Sequence, residues 1–207
     1  MIFRGLSVGM MDSNCYIIGC EDTKEGVVVD PGADGKKILK KVDDLGLKIT
    51  AIVLTHGHVD HIGALAEVRD ATGAKVMIHA EDADQLTDAG KNLSAYVGAR
   101  LSTKAADCLL QDKDEIEVGK ITLEVIHTPG HTRGGISIKC APDTLITGDT
   151  LFAGSVGRSD FPGGSHTQLI SSIKNKLLKF PDETRVYPGH GPSSTIGEEK
   201  KFNPFLR

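Results

Sequence analysis

The sequence predicts an α/β fold in which sheets are covered by helices, and two patterns support this prediction. Apolar runs rich in β-branched residues recur along the chain, and the strongest are followed at once by Gly, Pro, Asp or His. Such runs are typical of buried strands that end in loops. Between several of them lie amphipathic stretches with apolar residues three and four positions apart, which is the pattern of helices that pack on sheets.

Five of the apolar runs are predicted strands that lead into polar loops, and they cover residues 26–32, 49–58, 121–131, 143–150 and 184–190. Three further strands are predicted at 14–20, 75–79 and 135–140. Helical patterns cover 34–46, 61–73 and 165–180, and shorter helices are expected at 81–88 and near the C-terminus. Strands followed by a helix occur both before residue 112 and after residue 115. We therefore expect a single domain, residues 1–207, built from two related halves.

Composition restricts the classes of partner. The net charge of -4 leaves no broad basic surface, so no nucleic-acid partner is expected. No apolar run approaches the roughly 18 residues of a membrane span, and the N-terminus lacks the features of a secretory signal. The four cysteines show no C-x-x-C spacing, which indicates reduced thiols. These observations predict a cytoplasmic protein without a membrane partner.

Each of the five principal runs ends in aspartate or histidine. The residues concerned are Asp30, His56, His58, Asp60, His61, His131, Asp149 and His190. Because ligands bind beyond the carboxyl ends of strands in α/β sheets, these side chains are expected at one site. The stretch "THGHVDHIG" (55–63) supplies four of them, and two histidines spaced two apart face the same side of an extended chain.

The clustered residue types predict a metal centre. Imidazole and carboxylate are the ligands of zinc, iron and manganese, and one tetrahedral ion needs about four of them. The seven strand-end residues other than Asp30 are candidate ligands. Seven ligands are enough for two ions that share one carboxylate. Taken singly, His131 or His190 could be a loop cap and Asp149 a turn residue. Asp30 is either a turn residue before Pro31 or, with Thr55, a support behind the ligands.

The order H-x-H-x-D-H, Pro-Gly-His, Gly-Asp, Pro-Gly-His resembles the metallo-β-lactamase superfamily over almost the whole chain. The resemblance implies a four-layer αβ/βα sandwich, with two mixed sheets flanked by helices and a dinuclear site at one edge. It implies that one metal is held by His56, His58 and His131. It implies that the other is held by Asp60, His61 and His190, with Asp149 bridging the two.

Within this superfamily, three segments resemble the glyoxalase II branch, the hydroxyacylglutathione hydrolases. They are "GDTLFAGSVGRSDFPGG" (148–164), "YPGHGPSST" (187–195) and "FNPFLR" (202–207). The short stretch after His190 matches the short bacterial type, which lacks the C-terminal helical domain. Lactam-hydrolysing members usually carry a signal peptide and a cysteine where Asp149 stands. Arg158 matches a basic glutathione-binding position, although it could equally be a solvated loop charge.

The expected activity is hydrolysis of a thioester or ester by a metal-bridging hydroxide, with S-lactoylglutathione giving lactate and glutathione. Two divalent cations per chain are expected, zinc first and iron or manganese as alternatives. Asp60 would be both ligand and proton shuttle, and Arg158 would bind an anionic small-molecule thioester. A monomer is slightly favoured over an oligomer. The alternatives are a mononuclear iron persulfide dioxygenase, or a hydrolase of the same fold acting on another ester, a lactone or a phosphodiester.

Overall fold

The computed structural model describes residues 1 to 207, and its strands form two six-stranded sheets and a short hairpin. In spatial order, the first sheet contains β1 (Ile2–Val8), β2 (Ser13–Gly19), β3 (Glu25–Val29), β4 (Lys48–Val53), β5 (Lys75–His79) and β6 (Cys108–Leu110). The second contains β14 (Ser194–Thr195), β13 (Arg185–Pro188), β10 (Thr144–Gly148), β9 (Ile136–Ala141), β8 (Ile121–His127) and β7 (Glu115–Val118). The hairpin pairs β11 (Leu151–Phe152) with β12 (Ser155–Val156).

Both sheets are mixed. Strands β3 to β6 run parallel in the first sheet, while β1, β2 and β3 pair antiparallel. In the second sheet only β10 and β13 are parallel. The first sheet uses the chain up to Leu110 and the second begins at Glu115, close to the division that the sequence predicts.

The α-helices are α1 (Gly35–Asp44), α2 (Val59–Ile62), α3 (Leu65–Thr72), α4 (His166–Asn175) and α5 (Ile196–Phe202), and the 3₁₀ helices are Ala80–Leu86, Ser94–Val97 and Leu177–Lys179. The helix predicted over 61–73 is two helices, because the Ala64 amide donates to Pro31 O and interrupts the first. The helix predicted over 165–180 ends at Asn175 and gives way to the last 3₁₀ turn. The predicted helix over 81–88 is a 3₁₀ helix.

Three apolar layers separate four layers of secondary structure. The first packs α1 and α3 on one face of the first sheet, where Ile38 and Val68 meet Ile52. The second lies between the two sheets, and the third packs α4 and α5 on the second sheet. Strand β4 shows the arrangement locally, because Ile52 faces the helices while its neighbour Val53 faces the other sheet. This confirms the predicted α/β fold with two mixed sheets flanked by helices.

All four cysteines are free thiols, and three of them are buried, as the sequence predicts. None of the helices has both the length and the apolar composition needed to cross a membrane.

Candidate metal centre

The "THGHVDHIG" stretch follows β4 and turns directly into α2. His58 is extended (φ -68°, ψ 152°) and occupies the position before the first helical residue, so Asp60 and His61 fall in the first turn of α2. The amide of Gly57 donates to Gln85 Oε1 at 2.7 Å, which fixes the loop between His56 and His58. The three histidines of this stretch are almost completely buried. Their burial indicates that the loop belongs to an internal site.

The structure brings all seven predicted ligands together at the edge where β4, β8, β10 and β13 end. Their donor atoms form three overlapping groups, each with all atoms within 4.8 Å of one another. The groups are His56, His58 and His131; His56, His61 and Asp149; and Asp60, His61 and His190. Residues far apart in the sequence thus present nitrogen and oxygen donors to one small volume.

Asp149 lies between the two groups that the sequence predicts. Its Oδ1 is 3.4 Å from His61 Nε2, and its Oδ2 is 3.7 Å from both His131 Nε2 and His190 Nε2. Asp60 Oδ2 is 3.0 Å from His190 Nε2 and 3.7 Å from His61 Nε2. The Asp149 carboxylate is therefore placed to contact both sets of imidazoles.

Two glycines in the motifs allow the main chain to pass close to Asp149, His61 and Thr55. A Cβ at Gly189 would lie 2.1 Å from Asp149 Oδ1 and 2.8 Å from His61 Cε1. Gly148 has a positive φ of 48°, and a Cβ there would lie 2.6 Å from Thr55 Oγ1. The Gly-Asp and Pro-Gly-His motifs thus keep glycine where the chain approaches the ligands too closely for a side chain.

Four of the five imidazoles have Nδ1 next to an oxygen acceptor. His61 Nδ1 lies 2.9 Å from Asp30 Oδ2, and His56 Nδ1 lies 3.2 Å from Thr55 Oγ1, whose hydroxyl donates to Asp30. His131 and His190 reach main-chain carbonyl oxygens, those of Arg158 at 2.6 Å and Met11 at 3.1 Å. Donation from Nδ1–H leaves the Nε2 lone pair facing the cluster, which is the tautomer that binds a metal.

The donor set fits a divalent cation. His56 Nε2, His61 Nε2 and Asp149 Oδ1 are buried and have no hydrogen-bond partner, although buried polar atoms are normally satisfied. Donors about 2.0 to 2.2 Å from a tetrahedral ion lie roughly 3.4 Å from one another, and the separations around Asp149 are of that size. Cations bound among these donors would provide partners for all three unpaired atoms.

Burial and mutual proximity set the charge states of the cluster. Burial, with the neighbouring imidazoles, lowers the pKa of His56 far below its usual value and that of His58 to about 3. Burial also lowers the pKa of His131. At His61 the effect of burial is outweighed by the Asp149 and Asp30 carboxylates, which raise its pKa. His56, His58 and His131 are therefore neutral near pH 7, as metal ligands must be.

A cleft of about 570 Å³ opens over the cluster and has ligand side chains as its floor. His190 and Asp60 are the most accessible candidate ligands, with 28% and 17% of their side chains exposed. The remaining lining, apart from Arg158, is an apolar wall formed by Met11, Val59, Leu93, Tyr96, Val97, Phe152, Phe161 and Pro162. A small molecule from solvent can therefore reach the seven candidate ligands, called here the ligand cluster, along an apolar surface.

Arg158 lines this cleft, but its guanidinium is already engaged. Nε and Nη2 donate to the two carboxylate oxygens of Asp160 at 3.0 and 2.8 Å. The guanidinium carbon also lies 4.1 Å from the centre of the Phe161 ring. A substrate carboxylate would have to compete with Asp160, so the predicted role of Arg158 in substrate binding stays a prediction.

Asp82 and Gln85 support the ligand loops, and neither is predicted from the sequence. Both lie on the 3₁₀ helix Ala80–Leu86. The buried Asp82 carboxylate accepts hydrogen bonds from Thr132 Oγ1 and the Gly134 amide, directly after His131, while Gln85 holds Gly57. Isolated polar residues in a short helix carry no sequence signal of such contacts.

The three histidines that the sequence leaves out of the site are also outside it in the structure. His79 and His127 stack on each other with ring centres 4.0 Å apart, and His127 Nε2 donates to the Arg133 carbonyl at 2.8 Å. His166 begins α4 and is exposed. None of the three belongs to a group of candidate metal ligands.

Two relatives align with nearly all of this chain. The probable metallo-hydrolase YqgX of Bacillus subtilis is 40% identical, and the alignment covers 100% of this chain and 98% of the relative. The hydroxyacylglutathione hydrolase GloC of Haemophilus influenzae is 35% identical, with 97% and 96% covered.

Solved structures show the same fold. BLEG-1, a B3 metallo-β-lactamase, is 40% identical with a TM-score of 0.94, and 99% of each chain is covered. TTHA1623 in a di-iron-bound form is 34% identical with a TM-score of 0.86, covering 98% of this chain and 100% of that one. ETHE1 from Myxococcus xanthus is 34% identical with a TM-score of 0.81, covering 99% and 84%.

A family model described as the metallo-β-lactamase superfamily matches residues 8–190, which include every residue of the ligand cluster. Together with the relatives and the solved structures, this match agrees with the fold and with the His/Asp cluster. The chain belongs to the metallo-β-lactamase superfamily.

Proposed function

We propose that this protein is a dinuclear metal hydrolase that cleaves thioesters. The observation that carries the proposal is the position of Asp149, whose carboxylate lies between two groups of imidazoles at the floor of an open cleft. His56, His58 and His131 would hold one cation. Asp60, His61 and His190 would hold the other, and Asp149 would contact both.

Two divalent cations held there would lower the pKa of a shared water towards neutrality and polarise a substrate carbonyl. The protein's own contribution is to hold the donors in place. Asp30 and Thr55 orient His56 and His61, and the Arg158 carbonyl orients His131. Such fixed orientation maintains a reactive geometry without reorganisation during the reaction.

The lack of a separate general acid favours a thioester as the substrate, because its leaving group needs little protonation. Outside the ligand set, Arg158 is the one residue of the cleft lining with a charged side chain, and a guanidinium does not release a proton at pH 7. A thiol has a pKa near 8.5 and leaves without much help from an acid, whereas an amide nitrogen needs a proton. The Asp60 carboxylate, which is partly exposed to the cleft, would be the group that accepts and passes on a proton.

We propose glutathione as the thiol carrier and S-lactoylglutathione as a substrate. The similarity to GloC of Haemophilus influenzae supports this choice. The similarity to ETHE1 supports the alternative, a mononuclear iron persulfide dioxygenase, but no more strongly. All seven ligand residues are present in one cluster here, which favours the dinuclear hydrolase.

Zinc is proposed as the resident metal, with iron or manganese as alternatives, because imidazole and carboxylate bind all three. The di-iron form of the similar TTHA1623 supports iron as the first of these alternatives. We further propose a cytoplasmic monomer that acts on a small anionic substrate.

A substrate panel on protein of measured metal content tests the proposal. It contains S-lactoylglutathione, other thioesters, lactones, a β-lactam, a phosphodiester and glutathione persulfide. We expect thioester hydrolysis with two metal equivalents per chain. Oxygen consumption with the persulfide at one iron per chain, or hydrolysis of the β-lactam alone, would reject the thioesterase.

A further inference from the structure

The cleft offers an apolar surface where the expected carrier is polar. Glutathione has two carboxylates, an ammonium group and two amides, but the apolar wall provides no ion pair for any of them. The Arg158 guanidinium donates two hydrogen bonds to Asp160, so a carboxylate of the carrier would have to compete with this exposed pair. Along the apolar wall the Tyr96 hydroxyl is the one polar side-chain group, so the polar groups of glutathione would lose water there and gain few partners, which is unfavourable.

Several residues of the apolar wall are exposed to a degree that apolar side chains seldom show. Tyr96, Val97 and Met11 are 75%, 61% and 50% exposed. Met10, which precedes Met11 in the chain and does not line the cleft, is fully exposed. Contiguous exposed apolar side chains beside a polar floor are typical of ligand-binding grooves. Their position over the ligand cluster indicates that the ligand is the substrate.

The wall is held in this exposed position by buried polar contacts. The Asn92 side chain donates to the carbonyls of Gln85 and Leu101 at 2.9 Å, and its Oδ1 accepts from the Ser94 amide. The Asn92 carbonyl also accepts from the Val59 amide at 2.8 Å, next to the ligand loop. The 3₁₀ helix that carries Tyr96 and Val97 is thus anchored at its base.

Leu93 shows that this anchoring is strained. Its φ is 66°, in the left-handed region that a branched side chain seldom adopts. Such strain persists only when the surroundings impose it, and it is concentrated at functional sites. Here it turns Leu93 into the cleft, in line with the rest of the apolar wall.

We propose that the apolar wall binds the acyl group of the substrate, and that the enzyme prefers thioesters with long or aromatic acyl groups over lactoyl thioesters. This inference rests on the proposed thioester hydrolysis. The acyl carbon must reach the ligand cluster, and the apolar wall is the surface that begins there. The polar carrier then remains at the rim of the cleft, in water.

The test is a series of glutathione thioesters with acetyl, butanoyl, hexanoyl and octanoyl groups, compared with S-lactoylglutathione. Burial of each methylene predicts an increase of about fourfold in kcat/KM until the cleft is filled. The hexanoyl thioester of N-acetylcysteamine should be hydrolysed within about tenfold of its glutathione counterpart, since the carrier is not bound.

Variants of the wall separate this inference from a general effect of chain length. The double variant Met11→Gln, Val97→Thr keeps side-chain size but adds polar groups, so the octanoyl-to-acetyl ratio of kcat/KM should fall at least fivefold. Leu109→Gln changes an equally exposed apolar residue that does not line the cleft, and its ratio should equal that of the unchanged protein.

The outcomes are distinct. If no thioester is hydrolysed, the proposed function fails and the preference with it. If thioesters are hydrolysed but lactoyl is the best substrate, or the series is flat, the inference alone is wrong. The inference would also be wrong if the series is flat and sedimentation shows a dimer for the unchanged protein but a monomer for the double variant. The wall would then be covered by a second copy of the chain.

Discussion

The buried carboxylate of Asp30 lies 2.9 Å from Nδ1 of His61, and both side chains are shielded from solvent. The same carboxylate accepts hydrogen bonds from the Thr55 amide at 2.7 Å and hydroxyl at 2.6 Å. Asp30 follows β3 in the left-handed region, with φ of 51°. One carboxylate at the end of a strand therefore holds two neighbouring parts of the ligand loop.

Replacing Asp30 should weaken metal binding without removing a ligand. In Asp30→Asn the charge is lost and the amide can no longer fix the tautomer of His61 as firmly. Residues that support ligands in this way affect metal affinity by 10- to 100-fold, and we expect about tenfold or more. Titration calorimetry of metal-free protein with Zn²⁺ measures the affinity, and the exposed Asp44→Asn variant is the control. Equal affinities in the two variants would contradict the account of Asp30.

The proposed division of the ligands predicts stepwise loss of metal. Asp60 belongs to one group with His61 and His190, whereas His58 belongs to the other. Asp60→Ala should therefore retain one metal equivalent per chain, and so should His58→Ala. Elemental analysis after gel filtration counts the metal. Simultaneous loss of both equivalents in each variant would show that the ligands do not divide in this way.

Metal should stabilise the folded protein. Three unpaired buried atoms of the cluster gain partners when a cation binds. A ligand at 100 times its Kd adds about 2.7 kcal/mol to the free energy of unfolding, which raises Tm by about 5 to 10 °C for a chain of this size. Calorimetry of metal-free protein with and without Zn²⁺ measures the shift. Mg²⁺, which prefers oxygen ligands, is the control, and an equal shift with Mg²⁺ would contradict binding at this cluster.

Asp82 should give stability an unusual dependence on pH. Burial raises the pKa of its carboxyl from 3.8 to about 6, although hydrogen bonds from Thr132 and Gly134 act in the opposite direction. The folded protein therefore retains a proton that the unfolded chain releases, and this contribution is lost as pH rises from about 4 to about 6. It amounts to about 3 kcal/mol.

The matched variant for Asp82 is Asp82→Asn, which does not titrate. Urea unfolding at pH 4 and pH 7 gives the free energy of unfolding of both proteins. Because the unfolded carboxyl is already partly protonated at pH 4, the unchanged protein should lose about 2 kcal/mol relative to the variant between these two pH values. A difference that is the same at both pH values would show that folding does not raise the pKa of the Asp82 carboxyl.

The ligand cluster could be predicted because its signal is local. Four candidate ligands lie within the six positions from His56 to His61, and the strand that precedes them is strongly apolar. His131, Asp149 and His190 each follow a similar strand, and the carboxyl ends of those strands meet in the fold. Their convergence needed no information on side-chain packing.

Other parts of the structure have no such signal in the sequence. Strands β1, β6 and β7 were not predicted, because β1 lies at an edge with Arg4 exposed and β6 has only three residues, one of them the exposed Leu109. The apolar wall was also missed. Its residues come from five separate loops and short elements, and in the sequence each resembles an ordinary core residue. The main-chain acceptors at Met11 and Arg158 have no side-chain signature.

The most direct test of the two-metal hydrolase is the rate of thioester hydrolysis as cations are added back to metal-free protein. Zn²⁺ or Fe²⁺ is added in fractions of an equivalent, and bound metal and kcat are measured on the same samples. We predict little activity up to one equivalent and a rise to a plateau at two equivalents per chain. Full activity at one equivalent, or no thioester hydrolysis at two equivalents, would contradict the proposal of a two-metal thioester hydrolase.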